Sequence, residues 1–148
     1  MTDHRIIDPE ALAKARGFSH GILAASGRLL FVAGQIGWDG DGRVVSPDFL
    51  PQFEQALANV VQVVRAAGGR PSDLVRLTLY VIDKRHYEAQ LPEVGAAYRR
   101  QVGRHYPAMA LLEVKGLLEP GALVEVEATA VIPDRGPSHA PADTEKAT

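Results

Sequence analysis

From Ser46 onward the apolar residues recur every three or four positions: Leu50, Phe53, Leu57, Val60, Val61 and Val64. That spacing lays one apolar stripe along a helix. Ser46 or Asp48 can cap its start, and Gly68-Gly69 can end it. The period then falls to two. Val75, Leu77, Leu79 and Val81 alternate with Arg76, Thr78 and Tyr80, as in a strand. Helical spacing returns with Tyr87, Leu91, Val94, Tyr98 and Val102, where Pro92 marks a kink or a late start. Met109–Val114 reads as a strand, and so does Ala122–Ile132. In the latter, Val124, Val126, Ala128 and Ala130 share one face and Glu125, Glu127 and Thr129 the other. Ahead of the first helix, Gly21–Ser26 and Arg28–Gln35 flank Gly27 and read as a hairpin. The turn-rich WDGDGR, residues 38–43, reads as a loop.

The resulting order is ββαβαββ. Two helices cannot cover both faces of such a sheet, so both belong on one face of an α+β sandwich. The other face carries Glu125, Glu127, Thr129, Thr78 or its neighbours, and Gln35, mixed with apolar residues. A half-apolar face of this kind predicts a second subunit packed against it, with small clefts where subunits meet.

The length of 148 residues fits one domain. Its folded body is expected over residues 17–133. Residues 1–16 form a weakly patterned N-terminal arm. Residues 134–148, rich in Pro, Ala, Asp and Ser, are expected to be a disordered tail. A formal net charge of −2 gives no electrostatic footprint for nucleic acid. The chain has no cysteine, which removes disulfides, thiolate catalysis and cysteine-ligated metals. Its charged N-terminus resembles neither a secretory signal nor a membrane span, so a soluble, cytoplasmic protein is expected.

Several chemistries find no support. GWDGDGR lacks both the phosphate-cradling G-x-x-x-x-G-K-[ST] pattern and the strand–G-x-G-x-x-G–helix context. His4, His20, His86, His105 and His139 are scattered, without metal-ligand spacing. No G-x-S-x-G is present. The basic residues Arg99, Arg100 and Arg104 read as a solvated helix end, where positive charge is favourable in any case. Neither a metal nor a cofactor is implied.

Six stretches in fixed order carry a resemblance: GFSHGI (17–22), GRLLFVAGQIGWDGDGRV (27–44), QFEQALANVVQVVRAAGG (52–69), LVRLTLYVID (74–83), YPAMALLEV (106–114) and LVEVEATAVI (123–132). Together they resemble the RidA family, also called the YjgF/YER057c/UK114 family. The resemblance implies a chorismate-mutase-like domain, a homotrimer and a small-molecule cleft at each subunit interface. It also implies hydrolysis of reactive enamines and imines to ketones and ammonia. In that family an arginine after Pro-Ala clamps the substrate carboxylate, and a glutamate on the last strand helps activate water.

The correspondence is partial. Pro107-Ala108 match, but Met109 stands where the arginine is expected, and Leu111 where a cysteine often follows. Ala33 replaces the serine of a frequent S-G-Q, while Gly34 and Gln35 match. Ser19 falls near an N-terminal tyrosine, Gly95 near a helical asparagine, and Glu125 matches the glutamate. Methionine cannot neutralise a carboxylate. Losing hydrogen bonds of about 1.5–3 kcal/mol each costs roughly two or more powers of ten in affinity for 2-imino acids.

The candidate site therefore comprises Glu125 and His105 as catalytic groups, with Ser19, His20, Gln35, Tyr106, Met109 and Leu111 binding substrate. Most have a plainer alternative, Gln35 among them as a residue that only satisfies an edge strand. Met109 can be a gap-filling core residue, and Tyr106 can pack beside Pro107. His20 and His105 offer a base, or an imidazolium that binds an anion, or a structural contact. Glu125 and Glu127, two apart on one strand, are either an acid/base pair or one paired and one solvated carboxylate. Two functions stay open: hydrolysis of a C=N bond in compounds other than ordinary 2-imino acids, and non-catalytic binding of a small metabolite or partner. A third, ribonuclease activity ascribed to some relatives, finds no basic stripe to support it.

Overall fold

The computed structural model describes residues 3–134. The expected disordered tail lies outside these, apart from Asp134. The elements run β1 (Arg5–Ile7), β2 (Gly21–Leu23), β3 (Arg28–Ile36), α1 (Phe49–Ala66), a 3-10 turn (Pro71–Asp73), β4 (Leu74–Val81), α2 (Lys84–Glu88), α3 (Leu91–Gln101), β5 (Ala108–Glu113) and β6 (Val124–Ile132).

The main sheet has the order β3-β6-β4-β5. It is mixed: β4 and β5 are parallel, and the other pairs antiparallel. Both long helices lie on one face, as the alternation in β4 and β6 requires. Leu77, Leu79, Val81, Val124 and Val126 point inward against Phe53, Leu57, Val60 and Val64 of α1, all almost fully buried. Asp48 is the N-cap of α1 without a side-chain capping bond. Its C-terminus ends as the sequence requires. Gly68 takes φ 83°, the Gly68 N–H donates to the Arg65 carbonyl, and the Gly69 N–H donates to Val64. This Schellman pairing satisfies carbonyls that the last turn leaves open. Pro92 lies in the first turn of α3, where its missing N–H costs nothing, so it starts the helix rather than kinking it.

One expectation fails. The runs flanking Gly27 do not form a hairpin: β2 pairs with β1, and β3 pairs with β6. A side chain at Gly27 would meet the Ile132 carbonyl oxygen at 2.6 Å, so the chain turns there directly against the end of β6. The nine-residue β3 takes the long edge of β6 and leaves β2 to the N-terminal residues. Residues 5–7, within the weakly patterned arm, thus form a strand. His4 fastens it, with Nε2 at 2.9 Å from the Val131 carbonyl and Nδ1 accepting from the Ala25 N–H.

The opposite sheet face is open in the single chain. Leu29 is 63% exposed, Phe31 75% and Leu112 45%, beside Arg76, Tyr80 and Glu127. Among the described residues no helix is long and apolar enough to cross a membrane.

Candidate functional site

A cavity of about 380 Å³ opens between the helix layer and the β4–β5 side of the sheet. Its sheet wall is Leu77, Leu79 and Met109; Met109 lies in register with Leu77, so their side chains share the inward face. Its helix wall is Phe53 and Leu57 of α1, Tyr87 of α2, and Leu91, Val94 and Tyr98 of α3. Tyr106 closes the end, stacked on Tyr98 at 5.4 Å between ring centroids and 12° between planes. Arg16, Gly17, Gly95 and Arg99 complete the lining.

The Tyr98–Tyr106 end is held firmly. The Tyr98 hydroxyl donates to the His105 carbonyl at 2.6 Å. Burial first, then the neighbouring Tyr106 hydroxyl, push the Tyr98 phenol far above its ordinary range, so it serves as a neutral donor. Burial likewise raises Tyr87. Buried Ser19 ties the N-terminal loop to this end: its hydroxyl donates to the Tyr106 carbonyl and its N–H to the Pro107 carbonyl at 3.1 Å.

Gly95 stands inside α3, where glycine costs about 0.8–1 kcal/mol relative to alanine. A side chain there would come within 3.2 Å of Arg99 Nη1. The Arg99 guanidinium therefore folds back over Gly95, one turn earlier, toward the cavity. Its neighbour Arg100 is engaged elsewhere, donating to both Glu54 oxygens at 2.8 and 2.9 Å.

The candidates from the sequence separate into groups. Tyr106 and Met109 line the cavity, and Ser19 braces its end. Leu111 lies two residues beyond Met109 on the same face, 36% exposed and outside the lining. His20 is held in the N-terminal loop, its Nε2 at 2.6 Å from the Ala13 carbonyl and its N–H donating to Asp8. His105, expected as a catalytic base, instead commits Nε2 to the Leu74 carbonyl at 2.6 Å. It fastens the start of β4 and does not line the cavity.

Glu125 lies on the other side of the sheet. Leu79 pairs with Val126 and Tyr80 with Glu125, so Glu125 points away from the face that carries Met109. Its carboxylate lies over Gly34: a side chain there would sit on Glu125 Oε1 and 2.8 Å from its Cδ. Glu127 shares this outer face and accepts the Tyr80 hydroxyl at 2.7 Å. That bond, then burial and the charges of Glu127 and Glu125, raise the Tyr80 phenol above its ordinary range. Gln35 is nearby on β3, its Oε1 3.4 Å from Trp38 Nε1 and its Nε2 donating to the Ala33 carbonyl. Among the described residues, no group of three or more His, Cys, Asp or Glu could hold a metal ion.

The sequence reading missed the cavity's helix wall and both arginines. Tyr87, Leu91, Val94 and Tyr98 were visible as a helical face, and periodicity alone does not tell a packed face from one lining a void. Glycine within α3, four residues before Arg99, was the signal available for the arginine.

The family model described as Endoribonuclease L-PSP matches residues 9–132. A RutC family protein of Pyrococcus horikoshii is 36% identical over 71% of this chain and 80% of its own. The human 2-iminobutanoate/2-iminopropanoate deaminase is 30% identical over 80% of this chain and 85% of its own. A crystal structure of the Rid family protein YyfB from Yersinia pestis, of unknown function, superposes with a TM-score of 0.79 at 38% identity, covering 88% of this chain and all of that one. The chain therefore belongs to the RidA (YjgF/YER057c/UK114) family, in which several relatives bear the name of imino-acid deaminases.

Proposed function

We propose that this protein is a homotrimer that hydrolyses imines or enamines other than ordinary 2-imino acids, releasing ammonia at clefts between subunits. The observation that carries this reading is the split of the site. Met109 and Tyr106 open on one face of the sheet, and Glu125 lies on the other. The cavity that Met109 and Tyr106 line does not include Glu125, so in this reading a second copy brings its Glu125 and Gly34 to the first copy's cavity. The exposed Leu29, Phe31 and Leu112 supply apolar surface for that contact.

In such a cleft Glu125 takes a proton from a water molecule as its oxygen bonds to the C=N carbon. The π electrons pass to nitrogen, which is protonated. The carbinolamine then collapses: its hydroxyl proton leaves, the C=O bond forms, and nitrogen departs as ammonia after a second protonation. Met109 in place of a cation removes the clamp for a carboxylate next to the reacting carbon. The same residue favours a second reading, in which the clefts bind a small apolar metabolite without turnover.

Ammonia release from freshly generated neutral imines, measured for the wild type and Glu125→Gln, separates the two. The hydrolase reading expects rates above spontaneous hydrolysis that Glu125→Gln abolishes while sedimentation still shows a trimer. Equal rates in both proteins remove Glu125 from the mechanism.

A further inference from the structure

We propose that Arg99, assisted by Arg16, is the anion-binding group of the Met109 cavity. The cavity then takes an organic carboxylate whose charge is separated from the reacting carbon by an apolar body. This deepens the reading above and rests on it for the link to C=N chemistry, but the binding claim stands on the cavity alone.

Four observations converge. Phe53, Leu57, Leu77, Leu79 and Met109 make an apolar floor and wall, to which Tyr87, Tyr98 and Tyr106 add phenol hydroxyls but no cation. The cations among the lining residues are Arg16 and Arg99, both exposed. Among the described residues neither makes an ion pair, whereas Arg100, one position along, is bound by Glu54. Gly95 lets the Arg99 guanidinium lie back over the helix, and nothing in the helix itself calls for glycine there. A guanidinium presents paired donors that match a carboxylate, and beside an apolar cavity it selects an acid with a greasy body. A volume of about 380 Å³ suits a ligand larger than a short imino acid. The positive charge that the family resemblance places on β5 is thus carried here by α3 and the N-terminal loop.

Isothermal titration calorimetry with 4-phenylbutyrate and its neutral amide tests the assignment on the full chain. The wild type is expected to bind the acid at least about tenfold more tightly than the amide. Arg99→Gln removes that preference and leaves amide affinity unchanged; Arg100→Gln, whose guanidinium is engaged by Glu54, keeps it. Circular dichroism checks that each variant is folded. Equal affinity for acid and amide, no binding of either, or an unchanged preference in Arg99→Gln overturns the proposal. Turnover is not needed for this readout. A wild type that releases ammonia but binds acid and amide equally sinks only the anion site, and a wild type that prefers the acid but releases no ammonia sinks only the hydrolase reading.

Discussion

Replacing Gly34 with alanine tests the role of Glu125 without touching that residue. A Cβ built at Gly34 overlaps the end of the Glu125 side chain and lies 2.8 Å from its Cδ and 3.0 Å from its Cγ. Gly34 does not have a positive φ, so alanine fits the backbone. The obstacle is the far end of a flexible chain, which yields by turning away. Forcing a side chain off its rotamer costs about 0.5–1.5 kcal/mol. Restricting the unfolded chain with alanine returns about 0.4–1 kcal/mol. Stability should therefore change by less than about 1 kcal/mol. Moving the carboxylate by about 1 Å is another matter, since misplacement on that scale can cost roughly 100-fold in rate. The expected variant melts near the wild-type temperature and releases ammonia about 100-fold more slowly in a coupled glutamate dehydrogenase assay. A folded Gly34→Ala trimer with the wild-type rate would refute the role given to Glu125.

Two further predictions concern stability. The fully buried Gln52 amide donates to the carbonyls of Ser46 and Gly121 and accepts the Leu123 N–H, stitching two loops to α1. Gln52→Leu strands those partners and should destabilise by about 3 kcal/mol in a denaturant melt. Glu54 is held below its ordinary value of 4.5, chiefly by hydrogen bonds from Arg100, aided by Gln101. A lowered folded pKa adds stability that is complete above the ordinary value and is lost as pH falls through the folded one. Glu54→Gln should flatten that part of the acid limb, measured by melting across the acid range, and leave the rest of the profile unchanged; the pair lies at the surface, with Arg100 56% exposed, so the effect is small.

Much of the scaffold was legible because its signals are local. The stripe from Leu50 to Val64 and the glycines after it define α1, and strict alternation defines β4 and β6. The outer sheet face was foreseen as well, because Thr78, Glu125 and Glu127 follow from period two. The pairing of β2 was not. A three-residue apolar run looks the same whichever strand it joins, and its partner β1 lies fourteen or more residues upstream. Tyr106 and Met109, which line the cavity, were singled out by position in a motif. The bond from His105 to the Leu74 carbonyl was not legible, because a histidine beside that motif looks identical whether its ring faces a cavity or a backbone carbonyl. Arg99 was passed over because a cation near a helix C-terminus already has a local reason to be there.

The proposed activity is hydrolysis of C=N bonds in a cleft with Met109, and no cation, on its β5 wall. It is tested most directly by ammonia release from a panel of freshly generated neutral imines and 2-imino acids, with wild type and Met109→Arg. The wild type is expected to act on the neutral imines and poorly on 2-imino acids, with activity on the latter recovered in Met109→Arg. No release above the spontaneous rate from any imine, in either protein, would contradict it.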